Sequence, residues 1–71
     1  MKDLVTELKA ACANAGPNDR VVTIHLFGIR HEARLKGVNL KDLAERAGIS
    51  HTYGTELRKG VRLADHVIVK A

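Results

Sequence analysis

Residues 47–60 read AGISHTYGTELRKG: a small residue and a glycine, a mostly polar run, then a closing lysine and glycine. What precedes them decides how they are read. Asn39 can cap a helix in which Leu40, Leu43, Ala44 and Ala47 share one face, while Lys41, Asp42, Glu45 and Arg46 take the other. Gly48 ends that helix, Ile49 fills the angle, and Ser50 can cap a second helix expected over about 51–59 and stopped by Gly60. Two short helices joined by a glycine-containing turn of about three or four residues leave the second one free to meet a partner.

Working outward, Asp3 can cap an N-terminal helix over about 4–15, with Leu4, Leu8, Ala11, Cys12 and Ala15 at helical spacing and Gly16-Pro17 ending it. That face is small and alanine-rich, which suits close packing on another helix. Pro17-Asn18-Asp19 is a linker. The β-branched run Arg20-Val21-Val22-Thr23-Ile24-His25 predicts a short strand at about 20–25, followed by a helix at about 26–36 that stops at Gly37. His66-Val67-Ile68-Val69 is the other strand-like segment, so the two runs can form a ribbon within one chain or between two. The fold class is mainly α, a single domain over 1–71 of about four helices, with room for a short two-stranded β ribbon. The apolar segment 66–70 is expected in the core or in a dimer interface.

At 71 residues the chain is near the size where one hydrophobic core barely suffices, so extra stabilisation from a partner is expected. Disulfides cannot supply it within one chain, because Cys12 is the only cysteine. Its alanine-rich neighbours suggest a buried thiol and no nucleophile. The first residues, with Asp3 and Glu7, do not read as a signal peptide, and no stretch approaches the roughly 18 apolar residues of a spanning helix. A cytoplasmic protein away from the membrane is expected. Net charge is +4, and residues 20–71 hold ten Lys/Arg against five acids. That excess favours an anionic partner such as nucleic acid.

An enzyme is not expected. His25 and His31 are six positions apart and fall on different sides of a helix, and His31-Glu32-Ala33-Arg34-Leu35 lacks the second histidine of a zinc-protease helix. There is no glycine-rich phosphate loop, paired catalytic carboxylate or nucleophile elbow, and little room for a substrate pocket. No metal, cofactor or small-molecule substrate is indicated.

The segment Gly37 to Gly60 resembles the helix-turn-helix of the phage-repressor and Cro type. The parts of that motif fall to the Leu43-Ala44 pair, which packs the first helix on the second, to Gly48 in the left-handed turn, to Ile49 in the corner, and to Leu57 in the core. The sequence departs from the pattern twice. Leu40 stands where a polar residue often meets phosphate. Gly54 stands mid-helix in place of a large apolar residue, so a close neighbour is expected there, either the Phe27 ring or a second chain. The resemblance implies duplex DNA as partner, read by Ser50, His51, Thr52, Thr55 and Glu56, with Arg58 and Lys59 near the backbone. Tyr53 is expected to pack on the domain, and Arg20, Arg30, Arg34, Arg46 and Arg62 are candidate phosphate clamps. The function so implied is a small transcriptional regulator acting as a homodimer. The alternative is a protein-interaction module that keeps the scaffold without the DNA.

Overall fold

The computed structural model describes residues 2–16 and 18–67. Five helices lie within them: α1 (Lys2–Asn14), α2 (Arg20–Arg30), α3 (Glu32–Leu35), α4 (Leu40–Arg46) and α5 (Tyr53–Leu63). In α1, Leu4, Leu8 and Cys12 follow at four-residue intervals and are all buried. Asp3 sits in its first turn, where a carboxylate complements the positive end of the helix.

The expected strand at 20–25 is helical instead. Strand propensity of Val21, Val22, Thr23 and Ile24 is a weak preference, and tertiary burial overrides it. Ile24, Phe27 and Gly28 all turn inward at helical spacing. The ribbon therefore has no first strand, and among the described residues there is no strand at all. Of its proposed mate, His66 lies in the turn that follows α5 and Val67 comes directly after it, both amides donating to the Leu63 carbonyl, while 68–70 lie outside the described residues. The helix expected at 26–36 is also divided: α2 ends at Arg30, His31 leaves the helical region at φ −111°, and the single turn α3 buries Leu35.

Four side chains with no exposed surface come from four different helices, Leu8 from α1, Ile24 from α2, Leu43 from α4 and Leu57 from α5. They belong to one cluster with Phe27, Leu35, Leu40 and Ala47. Truncating such a leucine to alanine costs ~2–5 kcal/mol, comparable with the whole stability of a domain this small.

The most extensive packing joins α2 to α5, and glycine makes it possible. A Cβ at Gly28 would stand 2.7 Å from the Leu57 carbonyl oxygen and 2.9 Å from the Gly60 Cα. One at Gly60 would fall inside the envelope of the His25 carbonyl oxygen. Gly60 therefore does not stop the second helix, which continues to Leu63. Elsewhere Arg34 on α3 donates to both carboxylate oxygens of Glu7 on α1, at 3.1 and 2.5 Å. That pairing holds the Glu7 carboxyl below the usual glutamate range.

Candidate nucleic-acid interface

The unit that positions the site is α4, the connection 47–52, and α5. Asn39 caps α4 as expected, its Oδ1 accepting from the Asp42 amide at 3.1 Å. At the far end Gly48 adopts φ +81°, a conformation that favours glycine. Its amide donates to the Glu45 carbonyl at 3.0 Å and the Ile49 amide to Ala44 at 3.1 Å. These two bonds form the Schellman closure, which satisfies the last carbonyls of α4 and turns the chain. Ile49 packs against the core from this corner. Leu43 and Ala44 are fully buried beneath it. The motif residues Leu43, Ala44, Gly48, Ile49 and Leu57 thus occupy the positions expected of them.

The start of α5 differs by a few residues. Ser50 accepts from the Thr52 amide at 3.3 Å and its hydroxyl lies 2.9 Å from that of Thr52. The hydroxyls so order a turn over 50–52, and the helix begins at Tyr53. Tyr53 itself is half-buried against the core.

From there, α5 has two faces of opposite character. Gly54, Leu57 and Gly60 are buried, while Thr55, Arg58, Lys59 and Arg62 are exposed. The exposed Ser50, His51 and Thr52 precede them in the turn. Of the predicted site residues, six are therefore presented together: Ser50, His51, Thr52, Thr55, Arg58 and Lys59. Glu56 is the exception. It is turned toward α2, its side chain only 20 % exposed, with one carboxylate oxygen 3.2 Å from His25 Nε2 and the other 3.2 Å from Lys59 Nζ. The Lys59 hydrogen bond first, and that of His25 second, hold its carboxyl below the usual glutamate range.

Gly54 explains the neighbouring surface. A Cβ there would lie 2.9 Å from the Lys41 nitrogen and 3.1 Å from its Cα. The close neighbour is the first turn of α4, and neither the Phe27 ring nor a second chain fills the slot. Leu40 is consequently buried at 7 % exposure and has no side chain to offer a phosphate. The exposed Lys41 next to it lines one open cleft with Asn39, Thr55 and Arg58.

The sequence places Lys41 on the solvent face of α4 and gives no sign that it adjoins α5. The first turn of α4 packs on Gly54 and so brings Lys41 next to Thr55 and Arg58. Arg62 also belongs to this face. Of the other clamp candidates, Arg34 is held by Glu7, Arg46 pairs with Asp42 at 2.9 Å, Arg20 lines a cleft with Cys12 and Tyr53, and Arg30 ends α2. Cys12 is buried, and burial pushes its thiol up, away from nucleophilic use. Among the described residues no group of three or more His, Cys, Asp or Glu is arranged to hold a metal, and no helix is long and apolar enough to cross a membrane.

Residues 1–70 match the model of a family described as an HTH-like domain, and the chain belongs to that family. No curated protein and no solved structure matches the chain. The family match extends the helix-turn-helix reading from residues 37–60 to nearly the whole chain, at a level coarser than the phage-repressor and Cro type.

Proposed function

We propose that this member of the HTH-like family binds duplex DNA in the phage-repressor manner, by laying the exposed face of α5 in a major groove, and acts as a cytoplasmic transcriptional regulator in homodimeric form. It is a binding module and not an enzyme. One observation carries the reading: the sole carboxylate of α5, Glu56, is turned toward α2 and shared between His25 and Lys59, while Thr55, Arg58 and Arg62 remain outward. A helix face of hydroxyls and cations continuous with Ser50, His51 and Thr52 suits both base edges and phosphates. Lys41 takes over, from the adjacent position, the phosphate role that Leu40 lacks.

The test is an NMR titration with mixed-sequence duplex. Amides of Ser50, His51, Thr52 and Thr55 should shift more than those of α1, and each neutralised phosphate should contribute a slope of about −0.9 to log affinity against log salt. His51→Ala and Thr55→Ala should lose discrimination between sequences, while Lys41→Ala should weaken all duplexes alike and flatten the slope by about one unit. A duplex at low salt that moves nothing in residues 50–59 refutes the reading. The second reading, a protein-interaction module, draws on the exposed Val21, Val22 and Leu26 of α2. It gains if shifts appear there on addition of a protein partner and never with DNA.

A further inference from the structure

Opposite its buried side, α2 carries a second ordered stripe. Asp19, Val22, Leu26 and Arg30 follow at spacings of three, four and four residues, which places them on one face of a helix. That face lies away from Ile24, Phe27 and Gly28, which point into the molecule. Val22 is 54 % exposed and Leu26 37 %. Among the described residues the exposed large hydrophobics are Val21, Val22, Leu26, Leu63 and Val67, so three of the five belong to α2.

The geometry points to a second copy of this chain as the occupant, packed antiparallel along α2 about a two-fold axis midway between Val22 and Leu26. The charges at the ends of the stripe select it. Asp19 stands at the N-terminal end and Arg30 at the C-terminal end. Among the described residues neither has an ion-pair partner. Each also complements the dipole of α2 itself, which accounts for the charges but not for the uncovered Val22 and Leu26 between them. An occupant must bring apolar groups to the centre, a cation to one end and an anion to the other. Another α2, reversed, brings all three. The two-fold seats Val22 on Leu26 of the second copy and brings Asp19 beside its Arg30, and symmetry repeats both contacts. A wholly acidic segment would satisfy Arg30 and be repelled by Asp19, and a parallel α2 would set like charges together.

The inference places the seam of the dimer on α2. It rests on the homodimeric part of the proposed function and is independent of DNA. Its test is sedimentation equilibrium without DNA on the wild type, Asp19→Arg, Arg30→Asp, the double exchange and Leu26→Glu, with far-UV circular dichroism to verify folding. The wild type should be a dimer. Each single reversal should weaken association about tenfold, since symmetry doubles every lost or repulsive contact, and the double exchange should recover most of that loss. Leu26→Glu, altering a side chain outside the core, should give a folded monomer. A wild type still monomeric at millimolar concentration overturns the proposal, as does a double exchange no better than either single one. A dimer indifferent to duplex DNA would refute the DNA reading alone, whereas a DNA-binding monomer would refute this seam and the homodimeric form while leaving the DNA reading in place.

Discussion

Replacing Gly60 by alanine sets two effects of known sign against each other. In an ordinary helix interior the change stabilises by ~1 kcal/mol, because alanine has the better helix propensity. Here the new methyl would enter the envelope of the His25 carbonyl oxygen, 3.1 Å from its carbon and 3.0 Å from the Gly28 Cα. All three obstacles are backbone atoms, so no side-chain rotation relieves them. To restore ordinary contact distances α2 must retreat from α5 by roughly 1 Å, which already forfeits a large part of the dispersion energy across the gap. Ile24 and Phe27 move with it, away from Leu57. Overpacking of this kind costs ~1–3 kcal/mol, and rigid neighbours place it at the upper end. The net loss is then about 2 kcal/mol, and at ~4–8 °C per kcal/mol for a domain of this size the midpoint should fall by about 8–16 °C. Thermal melts followed by far-UV circular dichroism measure it, with Thr55→Ala on the exposed face of the same helix as a control. An unchanged or raised midpoint for Gly60→Ala would refute the close crossing.

Gly54→Ala should likewise fail to deliver its propensity gain and lower the midpoint, because its methyl meets the Lys41 backbone; a stabilised variant would remove that contact from the account. Glu56→Gln should strengthen duplex binding at low salt by withdrawing a negative charge from beside the phosphates, and fluorescence anisotropy showing equal or weaker affinity would count against α5 as the reading helix. Acid should destabilise the protein in two stages. Burial lowers His31, and hydrogen bonds to Arg34 and to Lys59 lower Glu7 and Glu56 respectively. In each case the unfolded chain takes up the proton first, so stability is present above the unfolded pKa and lost as pH falls below it: first from about 6.5 for the histidine, then from about 4.3 for the glutamates. Urea midpoints at pH 7.5, 5.5 and 3.5 should descend in that order, and a flat series would contradict it.

The helix-turn-helix was legible because its signals are local. Asn39 as cap, Gly48 as the left-handed turn and the Leu43, Ala44, Ile49, Leu57 set each announce themselves within a few positions, and all stand where the sequence placed them. Residues 20–25 were not legible in this way. Four consecutive β-branched residues favour a strand locally, and only the long-range fit of Gly28 to Gly60 shows why a helix is worth more there. The same missing information made Gly60 read as a terminator, since a glycine that ends a helix and one that admits another helix look alike in one dimension. On the exposed face, residue type identified six of the seven DNA-facing candidates as outward. Glu56 is turned toward α2 instead, to a partner, His25, that lies 31 positions away in the chain.

On the proposed function, the pairing of Lys59 with Glu56 bears on how the protein finds a site among many. Random duplex offers α5 little besides phosphate, and to meet it Lys59 must leave a carboxylate that would then face the same phosphates with His25 as its only counterweight. Such encounters are weakened and brief, so the protein is returned quickly to its search. On that reading, a sequence that offers base contacts to Ser50, His51 and Thr55 would offset the contact that Lys59 gives up, and there the complex would persist. Under the proposed function, one internal ion pair would thereby make dwell time depend on sequence, with little change in the attraction that brings protein and DNA together.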